Sequence, residues 1–107
     1  MKLGIILQTA KPEQAWNGIR LAITALKAGH IVKIFLLSEG VEIAEMADDQ
    51  HFDVESKLKE FVSLKGELLA CGTCLKSRHQ KESSACPLSN MQDLLKLVEE
   101  SDKVLTF

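Results

Sequence analysis

Two segments of this chain carry apolar side chains with almost no polar interruption: Leu3-Gly4-Ile5-Ile6-Leu7 and Ile31-Val32-Lys33-Ile34-Phe35-Leu36-Leu37. A strand with one wet face alternates apolar and polar residues, whereas an unbroken run belongs to a strand covered on both sides. The second run is also rich in β-branched residues, which suit a pleated surface. Between the two lies a helical pattern. Pro12 fits a first helical turn and Gly29 fits the stop, while Ala15, Trp16, Ile19, Ala22, Ile23 and Leu26 fall in an arc of roughly 120°. Leu21, Ala25 and Ala28 make a weaker second stripe, expected to pack against a neighbouring helix. Covered strands separated by amphipathic helices predict an α/β fold with a mainly parallel sheet and helices on both faces.

The rest of the chain repeats the alternation. Residues 41–46 read as a short helix and 48–53 as a polar turn, after which Val54, Leu58, Phe61 and Val62 mark a helix ended by Gly66. Glu67-Leu68-Leu69-Ala70 reads as a third buried strand. Ser89-Asn90-Met91-Gln92 offers a capping box for a last helix, with Met91, Leu94, Leu95 and Val98 as its apolar stripe. Residues 103–107 close the chain as a strand. A length of 107 residues fits a single domain spanning 1–107, large enough to bury a core.

Charge and hydropathy exclude several functions. A formal net charge of −2 argues against a nucleic-acid binder that relies on phosphate neutralisation, since such a binder would want a basic face. No apolar run approaches the ~20 residues of a membrane helix. The run that follows Met1-Lys2 is short and lacks a small-residue cleavage site, so it reads as a strand rather than a signal peptide. A cytoplasmic location is expected.

The chemistry concentrates in Cys71-Gly72-Thr73-Cys74. The motif follows the third strand and precedes a helical turn, Leu75-Lys76-Ser77-Arg78. In open parallel sheets, active groups collect at the carboxyl ends of the strands, where Cys71 falls. A thiol at such a junction meets unpaired amide groups, here those of Gly72 and Thr73, and the positive end of a helix dipole; both favour thiolate. Lys76, Arg78 and Lys81 add positive charge, with no acidic residue between Gly72 and Lys81. Thiolate is the form that attacks sulfur, binds metal or forms a disulfide.

Three readings of the cysteines stand beside one another. Cys71 and Cys74, one helical turn apart, are within reach of a redox disulfide of thioredoxin type. Cys71, Cys74, His79 and Cys86 have the composition of a tetrahedral Cys3His zinc site. The bland reading of Cys71 is an inert core thiol, since cysteine is among the most buried residue types, but a second thiol three residues on, flanked by glycine and basic residues, favours a reactive one. The odd number of cysteines argues against a framework of structural disulfides. Elsewhere the chemistry is thin. His30 suits a helix terminus, His51 a solvated acidic turn and Trp16 the core, and no glycine-rich phosphate loop is present.

The order strand, helix, strand, helices, then Leu69-Ala70-Cys71-Gly72-Thr73-Cys74-Leu75-Lys76-Ser77-Arg78, then Met91-Gln92-Asp93-Leu94 leading to Ser101-Asp102-Lys103-Val104-Leu105-Thr106-Phe107, resembles the DsrE/DsrF-like sulfur-relay family over essentially the whole chain. The resemblance implies a sheet of about five strands in a flavodoxin-like arrangement. It also implies assembly as a homo-oligomer, a trimer or hexamer. In the best-understood members a cysteine at the position of Cys71 carries sulfur as a persulfide and passes it to a partner's cysteine; Cys74 marks a CxxC-bearing subset. The function implied is that of a cytoplasmic sulfur carrier or sulfurtransferase that needs no cofactor. Cys71 would accept and donate sulfane sulfur, and Cys74 would release it through an internal disulfide. Gly72, Thr73, Lys76 and Arg78 would stabilise the anion, with sulfur donor and acceptor proteins as partners. A zinc-binding interaction module and a Cys71/Cys74 redox protein are the alternatives.

Overall fold

The two apolar runs lie side by side. β1 (Lys2–Leu7) and β2 (Ile31–Leu36) pair in parallel, with Leu3 opposite Val32 and Leu7 opposite Leu36. The computed structural model describes residues 1–45, 51–77 and 88–107. In it β3 (Glu67–Cys71) flanks β2, and the two-residue β4 (Leu88–Ser89) flanks β3. β5 (Lys103–Thr106) takes the other side of β1. The sheet is parallel throughout, in the order β4-β3-β2-β1-β5. The short β4 has no periodic signature, so the residues alone revealed four of the five strands.

Strand order dictates where the helices go. The chain steps outward from β1 to β4 one strand at a time, then crosses back to β5. A right-handed crossover puts its helix on one face when the chain moves one way and on the opposite face when it returns. Accordingly α1 (Pro12–Lys27) and α2 (Val54–Ser63) pack together on one face. The short α3 (Gly72–Ser77) continues from β3, and α4 (Met91–Glu100) covers the other face. Two glycines mark the sides. A Cβ on Gly18 of α1 would touch Leu7, whereas one on Gly4 would collide with Leu97 and Ser101. Leu7 and Gly4 have opposite parity along β1. This is a doubly wound sheet, as flavodoxin-type sheets are, with its reversal between β1 and β5.

The core lies mainly between the sheet and α1/α2. Leu3, Ile5 and Leu7, Val32, Ile34 and Leu36, and Leu68 and Ala70 meet Ala15, Ile19, Ala22, Ile23, Val54 and Phe61, all buried. Each large aliphatic or aromatic side chain here contributes about 1.5–3 kcal/mol. Trp16, expected in the core, is half-buried: its Nε1 donates to Asp53 Oδ1 at 2.6 Å and Arg20 stacks over its ring. The second stripe of α1 is only partly used, for Ala25 is buried while Leu21 and Ala28 are exposed. A 3-10 helix, Ser38–Glu45, takes the place of the described part of the short helix expected at 41–46 and buries Val41 and Ile43, while Met46 lies outside the described residues.

The α4 face is thinner. Leu97 is the buried residue of α4, with Leu94 half-buried, whereas Met91, Leu95 and Val98 are 58%, 57% and 44% exposed. The helix is therefore rotated from the expected stripe. The bare backbone of Gly4 admits Leu97 and Ser101, which pulls that side of the helix inward and turns Met91, Leu95 and Val98 out. The cap also shifts by one residue. Asn90 Oδ1 accepts from the Asp93 N–H at 2.9 Å, while Ser89 belongs to β4. No helix among the described residues is long and apolar enough to cross a membrane.

Candidate functional site

β3 ends at Cys71 and α3 begins at Gly72, so the CxxC motif straddles the junction that the sequence predicts. The two thiols sit in different surroundings. Cys71 is 4% exposed and belongs to the hydrophobic core. Cys74 is half-buried at the edge of that core, and its Sγ accepts a hydrogen bond from the Ser38 backbone N–H at 3.3 Å. They are not joined in a disulfide. Gly72 earns its place by close approach: a Cβ there would stand 3.1 Å from the Ser89 carbonyl oxygen and 3.2 Å from the Leu88 side chain. Its absence lets β4 lie against β3, with Cys71 opposite Ser89. Thr73 and Lys76 are exposed.

Ser38 was not singled out by sequence. It follows β2 at the same end of the sheet and has φ 54, in the left-handed region. For a residue with a Cβ this costs about 1–2 kcal/mol, a conformation that persists only where neighbours impose it. They do so here. The Leu37 N–H donates to the Leu7 carbonyl at 3.0 Å, and the Gly40 N–H donates to the Leu37 carbonyl at 2.9 Å. Gly40 lies so close to the end of β1 that a Cβ would overlap the Leu7 carbonyl oxygen. The turn is thus pinned to β1 and holds its amide toward Cys74. The available signal was the Ser-Glu-Gly cluster directly after a buried strand, a turn composition that carries no chemistry by itself.

Both thiols line one cavity of about 390 Å³. Cys71 to Cys74 and Lys76 form one wall, and Leu88 to Met91 form the other. It is larger than the two clefts beside α4, of about 160 and 150 Å³. Arg78, His79, Lys81 and Cys86 lie outside the described residues, so the structure gives no geometry for the Cys3His set. Among the described residues no group of three or more His, Cys, Asp or Glu is arranged to hold a metal. His30 accepts from the Met1 ammonium at 2.9 Å, and His51 meets Phe52 edge to face; neither approaches the cavity.

Such a site can do thiol chemistry on a sulfur-bearing group small enough, or extended enough, to enter the cavity. Known proteins with this architecture narrow its context. Over its whole length the chain is 37% identical to the uncharacterized protein MJ0989 of Methanocaldococcus jannaschii, all of which it covers. It is 35% identical over 100 residues to the uncharacterized protein MK0008 of Methanopyrus kandleri, with 89% of this chain and 83% of that one aligned. The crystal structure of the ychN protein from E. coli superposes on all of the chain with a TM-score of 0.86 at 20% identity, a likeness of fold that covers 100% of both chains. Residues 1–107 match the DsrE/DsrF-like family from end to end, and to that family this chain belongs.

Proposed function

We propose that this protein is a cytoplasmic sulfur carrier that holds sulfane sulfur as a persulfide on Cys71 and hands it to a partner thiol. The observation that carries the reading is the placement of two thiols on one cavity at the carboxyl end of β3, within a chain of the DsrE/DsrF-like family. Loading is thiol exchange: a thiolate attacks the outer sulfur of a donor persulfide, R–S–SH, giving Cys–S–SH and releasing R–S⁻. Delivery is the same step with the partner's thiolate as the attacker. A carried sulfur needs room and protection from stray thiols, and Cys71 has both, being buried at the wall of a cavity. Lys76, Gly72 and Thr73 border the same space and, on this reading, hold the anionic sulfur during transfer.

The protein works, on this reading, as a homo-oligomer with separate donor and acceptor proteins. The outward side chains Met91, Leu95 and Val98 on α4 support the assembly.

Incubating the reduced protein with a persulfide donor tests the function. Intact mass should show the gain of one sulfur atom, and the Cys71→Ser/Cys74→Ser double variant should show none. Wild-type protein that takes up no sulfur would refute the reading. Equal uptake by the double variant would move the site elsewhere, to Cys86.

A further inference from the structure

The two thiols differ in who can reach them. Cys71 is 4% exposed at the cavity wall, so a sulfur carried on a donor protein reaches it far less readily than it reaches the half-buried Cys74. Sulfur exchange requires the attacking sulfur to reach the one attacked, and its rate depends on access as well as on thiolate character. Cys74 is half-buried and faces the cavity, and a backbone amide donates to its sulfur at 3.3 Å. An N–H donor to sulfur favours thiolate over thiol, and the persulfide anion over its acid, because the charged form accepts the stronger bond.

Resting on the persulfide reading, we infer that Cys74 is the first acceptor of sulfur, held for attack by the Ser38 amide, and that Cys71 receives the sulfur from it. Two balanced steps describe the relay. The Cys74 thiolate attacks the outer sulfur of R–S–SH, forming Cys74–S–SH and expelling R–S⁻. The Cys71 thiolate then attacks the outer sulfur of the Cys74 persulfide, forming Cys71–S–SH and returning Cys74 to thiolate. No oxidant or reductant is consumed. Ser38 is a positioning residue: its amide, fixed by the turn that ties Leu37 and Gly40 to Leu7, acts through the sulfur of Cys74.

Two readouts test this. In the first, a persulfide carried on a small protein is the donor, and loading is followed by intact mass. Cys71→Ser should still load one sulfur, mapped to Cys74 and not passed on, while Cys74→Ser should load about tenfold more slowly than the wild type or worse, because its remaining thiol is shielded. Wild-type loading by Cys74→Ser, with none by Cys71→Ser, would overturn the relay while leaving the carrier function intact. A wild type that never loads would overturn both.

The second readout needs no persulfide. Limited alkylation of the reduced protein, mapped by peptide mass, should label Cys74 ahead of Cys71; the reverse order would overturn the assignment. Ser38→Gly keeps the amide and should keep the labelling rate of Cys74. Gly40→Ala, which pushes the turn off Leu7, should slow that rate in protein whose circular dichroism shows it folded. Folded Gly40→Ala that labels at the wild-type rate would remove Ser38 from the proposal.

Discussion

Lys65 holds a backbone conformation that suits glycine better. At φ 70 it occupies the position just beyond the cap of α2, where its N–H donates to the Val62 carbonyl and the Gly66 N–H to the Phe61 carbonyl, each at 3.0 Å. That pair of bonds is the Schellman closure, whose left-handed residue is usually glycine. α1 ends with the same two bonds, and there Gly29, at φ 91, fills the position. The glycine of α2 is one residue too late. It has its own reason to be small, since a Cβ on Gly66 would overlap the Phe61 ring. Relieving the left-handed Cβ should therefore make Lys65→Gly more stable by about 1 kcal/mol. The gain would appear as a higher urea midpoint at unchanged slope. A lower midpoint would mean that the lysine side chain contributes more than its backbone conformation costs. Ser38 shares the left-handed φ, but there the conformation aims an amide at a sulfur.

Glu60 ties α1 to α2. Its carboxylate receives Lys27 Nζ from α1 at 3.2 Å and Lys57 Nζ from its own helix at 3.4 Å. The hydrogen bond from Lys27 is the largest of the influences that hold this carboxyl below its ordinary value of 4.5. A depressed carboxyl contributes stability in full above its unfolded value and loses it as pH falls through its folded value. Glu60→Gln should accordingly be less stable than the wild type at pH near 7, with the gap closing under acid. Urea titrations on both sides of that range would show it, and a gap that widened on acidification would rule this linkage out. The elements themselves were legible to unequal degrees. β1, β2 and β3 were plain because burial on both faces writes itself as unbroken apolar sequence. β4 was not: two residues carry no period, and its pairing depends on the missing side chain of Gly72. The apolar stripe of α4 was visible but its orientation was not, because Gly4, some ninety residues away in sequence, decides which side turns inward. The thiol junction could be read from the spacing of Cys71 and Cys74. Their unequal exposure, and the amide that serves one of them, arise from a turn after β2 that only the folded chain brings near.

On the scale of the whole molecule, coverage of the sheet is lopsided. One face has α1 and α2 and a core of fully buried side chains; the other has α4, where Phe35 is buried but its neighbours Ile6, Lys33 and Leu69 are only half-buried. α4 turns Met91, Leu95 and Val98 outward, and β5, at the edge of the sheet, leaves Val104 and Leu105 36% and 38% exposed. An edge strand offers unpaired backbone groups, and an apolar helix face offers surface whose burial is favourable. The homo-oligomer proposed above would cover these features. Leu95 lies near the middle of the helix stripe and away from the buried Leu97, so a charge there should cost the isolated subunit little. Leu95→Glu is therefore expected to lower the mass found by light scattering to that of one chain while leaving the circular dichroism spectrum unchanged. A wild type that is already monomeric at tens of micromolar, or a variant that stays assembled, would remove this face from the assembly. The placement also bears on chemistry. Asn90 and Met91, at the start of the same helix, form part of the wall of the thiol cavity. A neighbour seated along α4 would reach the rim of that cavity, narrowing the route by which a donor approaches Cys74. Monomeric Leu95→Glu should then load sulfur from a small donor at least as fast as the wild type, so slower loading by the folded monomer would mean that the neighbouring subunit completes the site.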